Sequence, residues 1–150
     1  MSEDHPTHQL TGGCLCGAVR YTATLRSAEG GFCHCRLCQR ATGGVAAPFV
    51  EVASVEWHSA PRWYASSPVA RRGFCGDCGS PLAFAWADGS GTDLMIGSFD
   101  DPGHFHPAWH SGTESLHEAW LARPDLPRRA TQDIASTAAH WHAAGLQVPD

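Results

Sequence analysis

The stretch Cys33-His34-Cys35-Arg36-Leu37-Cys38 places three cysteines within six residues. Side chains alternate along a strand, so an extended segment would point Cys33 and Cys35 to the same face. Arg36 and Leu37 then predict a short turn or a helical start that brings Cys38 to that side. Three thiolates on one side are typical of a zinc site. We therefore expect the surrounding chain to be arranged around a metal ion.

The other four cysteines form two outer pairs, Cys14/Cys16 and Cys75/Cys78. A C-x-x-C spacing lets two sulfurs reach one ion, and the second pair supplies the remaining ligands of a tetrahedral site. A redox C-x-x-C would need a βαβ setting, which the pattern lacks. Joining the pairs through a metal closes a loop of about sixty residues and constrains the unfolded chain. We predict a structural zinc at these four cysteines.

The central cysteines Cys33, Cys35 and Cys38 then have no fourth cysteine left to complete their site. Three protein ligands and an open position are the pattern of a catalytic zinc. A shell of three thiolates is a poor activator of water, but it suits the capture of an incoming thiolate. The cluster therefore predicts an open, catalytic zinc site.

A closed Cys₃His site is the alternative interpretation of the central cluster, and it would make that zinc structural. His34 is poorly placed as the fourth ligand, because an extended segment points it away from its neighbours. The better candidates are His104, His106 and His110. Both interpretations predict two zinc ions per chain.

Composition excludes several classes of protein. A chain of 150 residues with 43% hydrophobic content can build one domain with a core. A net charge of −5 and the absence of a Lys-rich run disfavour nucleic-acid binding. No apolar run approaches the roughly 20 residues of a membrane helix, and residues 1–10 lack a signal-peptide profile. We expect a cytoplasmic protein, where seven cysteines indicate metal binding more than disulfides.

Short runs of β-branched and aromatic residues, separated by glycine and proline, predict a mainly β, antiparallel fold. The predicted strands are 18–25, 45–50, 52–57, 62–65, 69–74, 82–86 and 92–99. Glu29-Gly30-Gly31 is predicted to be a turn. Asp88-Gly89-Ser90-Gly91 predicts a hairpin between the last two strands.

Three segments follow from this pattern. Residues 1–9 are predicted to be a flexible leader, 10–122 a zinc domain, and 123–150 a linker followed by a short helix. Ile134, Ala138 and Trp141 recur at helical spacing within 131–144, and Gly145 ends the helix.

The cysteine motifs resemble the glutathione-dependent formaldehyde-activating enzyme family, which includes the centromere-protein-V-like domains. The motifs are Gly13-Cys-Leu-Cys-Gly17, Cys33-His-Cys-Arg-Leu-Cys38 and Phe74-Cys-Gly-Asp-Cys-Gly79. Cys38-Gln-Arg-Ala-Thr-Gly43 and Gly97-Ser-Phe-Asp-Asp-Pro102 are similar to the segments that link them. The resemblance covers roughly residues 10–121.

This resemblance implies a tent-like (Mss4-like) arrangement of small antiparallel sheets. It implies a structural zinc on the outer pairs and a catalytic zinc on Cys33, Cys35 and Cys38. It also implies the joining of formaldehyde and glutathione to S-hydroxymethylglutathione, so the partners would be a small thiol and an aldehyde. Possible partners for the two glutathione carboxylates are Arg20, Arg36, Arg40, Arg71 and Arg72.

The sequence therefore supports two main functional hypotheses. The first is a zinc-dependent carbon–sulfur lyase or synthase, and the second is a zinc-stabilised protein-binding module without activity. A third, a redox sensor that releases zinc when Cys33, Cys35 and Cys38 are oxidised, is disfavoured because zinc protects thiolates. No residue pattern predicts an oligomeric state or binding to a membrane.

Overall fold

Strands account for most of the secondary structure in the computed structural model, which describes residues 8–149. Strands β1 to β5 are Gln9–Gly13, Arg20–Leu25, Glu29–Cys33, Ala47–Trp57 and Arg62–Ser67. Strands β6 to β9 are Ala70–Phe74, Pro81–Trp86, Thr92–Met95 and His106–Ser111. The α-helices are α1, Arg36–Thr42, and α2, Ala135–Ala143. Short 3₁₀ turns occupy Ile96–Ser98, Pro102–His104, Thr113–Ser115, Glu118–Trp120 and Thr131–Asp133.

The chain divides into two compact units after His117. Of the elements described within residues 8–149, the first unit contains β1 to β9 and α1, and the second contains α2. Of the predicted leader, residues 1–7 lie outside the described residues, and β1 begins at Gln9. Within residues 8–149, no helix has the length and apolar character needed to span a membrane.

The predicted C-terminal helix is confirmed, with a later start than expected. Residues 131–133 form a 3₁₀ turn, and α2 begins only at Ala135, where no side chain caps the helix. Gly145, which was predicted to end the helix, has a φ of 73°. None of the residues in α2 is fully buried.

The strands form one hydrogen-bonded network in the order β1-β2-β4-β8-β7-β6-β5, and β3 joins it through β4. All pairs are antiparallel except that between β3 and β9. The predicted mainly β, antiparallel class is therefore confirmed. The strands form one continuous network instead of several small sheets, and the parallel pair was not predicted. That pair depends on contacts between residues that are almost eighty positions apart, which local patterns do not report.

Two local predictions were wrong. Glu29-Gly30-Gly31 is not a turn but the start of β3. Glycine is needed at 31 because a Cβ there would collide with the indole ring of Trp109 on β9. The predicted strands 45–50 and 52–57 are one strand, β4, in which exposed Glu51 continues the alternation between buried neighbours.

One face of the sheet packs the core. Val50 on β4 lies opposite Leu94 on β8, which lies opposite Ala83 on β7, and all three are buried. Paired residues in antiparallel strands share a face, so these three point the same way. Tyr21 is fully buried beside them, and its hydroxyl lies 2.7 Å from Ser98 Oγ.

The opposite face carries a different row across the same strands. Glu51 pairs with Asp93, Asp93 with Phe84, and Phe84 with Arg72. Because side chains alternate along each strand, this row faces away from the core. The sheet therefore separates an apolar core from a face that carries charged side chains.

Candidate metal centres

The two outer cysteine pairs come together as predicted. Cys14 and Cys16 lie between β1 and β2, and Cys75 and Cys78 lie between β6 and β7. Their four sulfurs are all within 4.8 Å of one another. The sulfur–sulfur distances are 3.6 Å for Cys14–Cys16 and 3.8 Å for Cys16–Cys75. A tetrahedral zinc with Zn–S bonds of about 2.3 Å separates its sulfurs by about 3.8 Å, so this group fits a zinc ion.

Hydrogen-bond donors lie beside three of the four outer sulfurs. The backbone N–H of Val19 donates to Cys14 Sγ at 3.2 Å, and two N–H groups of the loop donate to Cys75 Sγ at 3.4 and 3.5 Å. The Ser80 hydroxyl lies 3.1 Å from Cys78 Sγ and is the main cause that lowers the pKa of Cys78 to about 5. Deprotonated sulfur is the form that binds metal.

The three central cysteines also form one group, with sulfurs within 4.8 Å of one another. Cys33 ends β3, Cys35 is the N-cap of α1, and Cys38 lies in the first turn of that helix. The predicted helical start is therefore confirmed, although Cys35 reaches the cluster from the helix cap and not from the strand. The group can supply three sulfur ligands to one metal ion.

The environments of two of these thiols differ. Burial raises the pKa of Cys33 to about 12. Burial also opposes ionisation of Cys35, but the Cys38 backbone N–H donates to its sulfur at 3.4 Å, and hydrogen bonds of this kind lower its pKa. A positive centre would favour the thiolate form of Cys33, which suits a metal site.

Gly112 fixes the position of Cys35. Its φ of 63° is in the left-handed region, and a Cβ at this position would lie 2.5 Å from Cys35 N and 2.9 Å from Cys35 Cβ. A residue with a side chain would therefore be strained and would push against the backbone of the helix cap. Glycine lets the segment after β9 approach the central cluster closely.

Within residues 8–149, no histidine joins either cysteine group. His34 is 2% exposed, and its Nε2 lies 2.8 Å from His110 Nδ1, while the His110 ring stacks on Phe32. The structure thus places the candidate fourth ligands His104, His106 and His110 outside the cluster. Among the described residues, the central group therefore consists of the three cysteines alone.

One of the five candidate arginines reaches the central cluster. Both terminal nitrogens of Arg72 lie 3.6 Å from Cys38 Sγ and donate to it, and the guanidinium lies 5.3 Å from the centre of the Phe84 ring. Adjacent residues on a strand face opposite sides, so Arg71 cannot accompany Arg72 there. Of the other four, Arg20 pairs with Asp100, and Arg36 donates to Gln39. Arg71 lies over the ring of Trp63, and Arg40 is exposed.

A cavity of about 380 Å³ adjoins the central cluster on the face of the sheet opposite the core. Its lining is Cys33, Cys35, Leu37, Cys38, Ala47, Phe49, Ser66, Ser67, Val69, Ala70, Arg72, Phe84, Trp86, Asp93 and Met95. The volume is within the range of small-molecule sites. The three candidate ligands therefore face a space that a small molecule can enter.

Asp93, an acidic residue that lines this cavity, is not among the predicted site residues. Burial raises its pKa to about 6, and the charge of Glu51 adds to the effect. The sequence did contain a signal for this residue. Asp93 is a charged residue in a predicted strand, next to Leu94, which marks the face of that strand that packs on the core. Only the fold shows that the other face of that strand borders the cysteine cluster.

The sequence profile of the family described as "Glutathione-dependent formaldehyde-activating enzyme" matches residues 9–115. The chain belongs to this family. The match includes both cysteine groups and the strands that carry them.

Two comparisons extend this finding. An uncharacterized lyase of Schizosaccharomyces pombe is 34% identical over 86 residues, which are 54% of this chain and 61% of that protein. The match thus spans about three fifths of the relative's length. A crystal structure of a Rhodobacter sphaeroides protein has a TM-score of 0.50 at 21% identity and covers 67% of this chain and 99% of that one. The second comparison shows a similar fold.

Proposed function

We propose that this chain is a zinc-dependent carbon–sulfur lyase that joins and separates a small, glutathione-like thiol and an aldehyde such as formaldehyde. In this proposal Cys14, Cys16, Cys75 and Cys78 hold a structural zinc. Cys33, Cys35 and Cys38 hold a second, reactive zinc. The observation that carries the proposal is that the three central sulfurs, with no histidine joining them within residues 8–149, line a cavity large enough for a small molecule. The family match and the lyase name of the fungal relative support it.

The cysteines and Arg72 prepare the site for a thiol. Zinc held by the central cysteines would supply a positive centre that favours the thiolate form of an incoming thiol. Three cysteine thiolates leave a surplus of negative charge around one divalent ion. The guanidinium of Arg72, which donates to Cys38 Sγ, offsets part of that charge. Arg72 therefore stabilises the cluster that receives the substrate sulfur.

The reaction forms one carbon–sulfur bond and moves one proton. The thiol sulfur attacks the aldehyde carbon, the carbonyl π bond opens onto oxygen, and the oxygen takes the proton that the thiol released. With formaldehyde the product is an S-hydroxymethyl thiol adduct, and the reverse steps release the two substrates. Asp93 faces the cavity and has a pKa of about 6, so it can accept and return this proton near neutral pH.

The cavity walls orient the reactants and limit water. Phe49, Phe84, Trp86 and Met95 form an apolar surface beside the sulfurs. Holding the sulfur and the carbonyl carbon together lowers the entropic part of the barrier. Exclusion of water strengthens the electrostatic contacts of Arg72 and Asp93.

Zinc content and exchange kinetics test this proposal together. We expect two zinc ions per wild-type chain, and acceleration of formaldehyde–glutathione exchange measured by NMR. Cys38→Ser should abolish the acceleration while the circular dichroism spectrum remains that of a folded chain. Arg40→Gln is the matched control, because Arg40 is exposed on the same helix and does not line the cavity. If the wild-type chain accelerates neither this exchange nor that of any other thiol–aldehyde pair tested, the proposal is contradicted and a zinc-stabilised binding module is favoured.

A further inference from the structure

The cavity beside the central cysteines is much larger than a one-carbon aldehyde requires. Its volume is about 380 Å³. A water molecule occupies roughly 30 Å³ in the liquid, and formaldehyde, with two heavy atoms, is of similar size. The space could thus hold about a dozen such molecules. Most of it is available for a group attached to the carbon or to the sulfur of the reacting bond.

The side chains around this space are mainly apolar. The floor is the sheet face that carries Phe49, Phe84, Trp86 and Met95. Leu37 of α1 borders one side, and Val69, in the turn between β5 and β6, borders the other. Aromatic and aliphatic walls of this kind favour an apolar or aromatic ligand.

The charged residues of the lining oppose a ligand with two carboxylates. Among the described residues that line the cavity, Arg72 and Asp93 are the charged ones apart from the cysteines. Both terminal nitrogens of Arg72 already donate to Cys38 Sγ. Asp93 would repel a carboxylate, and Glu51 lies opposite it on β4. Glutathione, which carries two carboxylates, would find a single cation in this lining, Arg72, whose terminal nitrogens already donate to Cys38 Sγ and whose buried Nε alone has no hydrogen-bond partner among the described residues.

We infer that the preferred substrate is a thiol–aldehyde adduct in which the group next to the carbon–sulfur bond is an uncharged aryl or alkyl group. This inference rests on the proposed lyase function and specifies its substrate class. The apolar group can enter with the aldehyde or with the thiol. In both cases the ligand is an S-(1-hydroxyalkyl) thioether with an apolar substituent, whose body packs on Phe84 and Trp86.

Two series of substrates on the zinc-loaded chain separate the two sources of the apolar group. In the first, isothermal titration calorimetry compares 2-phenylethanethiol with glutathione. In the second, NMR exchange with 2-mercaptoethanol compares phenylacetaldehyde with formaldehyde. We expect the aromatic ligand to be preferred at least tenfold in one series or both, which corresponds to about 1.4 kcal/mol.

Charged substitutions at the edge of the cavity test the location of the apolar group. Leu37→Glu and Val69→Glu each place a carboxylate at the edge, and both residues are more than half exposed, so folding should tolerate the change. Each should reduce the aromatic preference at least tenfold. Leu15→Glu is the matched control, because Leu15 is an 89% exposed leucine between two cysteines of the outer group and does not line this cavity. Zinc content of each variant should remain that of the wild type.

The outcomes distinguish this inference from the proposed function. If glutathione binds as tightly as 2-phenylethanethiol and formaldehyde exchanges as fast as phenylacetaldehyde, the inference is wrong and the lyase proposal stands. An aromatic preference that persists in both Glu variants would also overturn the inference, because the aromatic group would then bind elsewhere. If no thiol–aldehyde pair is exchanged, the proposed function fails and the inference fails with it.

Discussion

Replacing Asp93 by asparagine should stabilise the protein at neutral pH. Asp93 is partly buried on β8, faces the cavity, and lies opposite Glu51. Burial and the nearby charge raise its pKa from 3.8 to about 6. The carboxylate is therefore held ionised at pH 7 in a place that disfavours its charge. Asparagine has nearly the shape of the neutral carboxyl group and removes that cost.

The size and the pH dependence of the effect follow from the pKa change. Because the folded state binds the proton more tightly than the unfolded state, the stability of the wild type falls as pH rises from about 4 to about 6. Each pKa unit corresponds to about 1.36 kcal/mol, so Asp93→Asn should gain up to about 3 kcal/mol at pH 8. The gain should be about half as large at pH 5. Asp93 keeps some contact with solvent, which screens its charge, so these gains in the free energy of unfolding are upper limits.

Denaturant unfolding of zinc-loaded wild type and variant at pH 5, 6, 7 and 8 measures this gain. Asp100→Asn is the control, because Arg20 and Thr11 hydrogen bonds lower the pKa of Asp100 to about 2. The stability that ionised Asp100 contributes is present above about pH 4 and is lost only as the pH falls toward 2. Asp100→Asn should therefore lower the free energy of unfolding by at most about 1 kcal/mol, and by the same amount at every pH from 5 to 8. A destabilising Asp93→Asn, or a gain that is equal at pH 5 and pH 8, would refute the reasoning.

Three further results are expected. Cys75 is 1% exposed within the core, so Cys75→Ser should unfold the unit, whereas Cys35→Ser should leave it folded; equal losses of thermal stability would contradict this division. Gly112→Ala should lower the retention of zinc by the central cluster. Gly97→Ala should not, because a Cβ at that position would have open space. Metal analysis after dialysis measures both. Asp93→Asn should also slow thiol–aldehyde exchange at pH 7 by about 10²-fold, which is the lower end of the effect of a positioned proton-transfer group. An unchanged exchange rate would exclude Asp93 from proton transfer.

The cysteine spacing was enough to predict both groups, because a metal ion requires its ligands to be close. The helical start at Arg36 also followed from local pattern, whereas the extended segment that was expected to include Cys35 ends at Cys33. The glycines of β3 misled the prediction of a turn, since Gly31 serves a close approach to Trp109 that only the folded sheet reveals.

The cavity could not be predicted from the same information. It depends on which residues of β4, β6, β7 and β8 are neighbours, and this register joins Arg72, Phe84 and Asp93 from distant parts of the sequence. Arg71 and Arg72 are equivalent in a sequence, and the sheet alone decides that Arg72 faces Cys38. Residues that line a cavity without binding metal carry no spacing rule.

Cadmium NMR of the metal-substituted chain tests the central claim most directly, because each metal site gives its own ¹¹³Cd resonance. The account predicts two resonances, one from the four outer cysteines and one from Cys33, Cys35 and Cys38. Addition of a thiol should shift only the second resonance, and Cys38→Ser should remove that shift. A single resonance, or two resonances that are both unmoved by thiol, would contradict the claim that the three-cysteine group is an open site for a substrate sulfur.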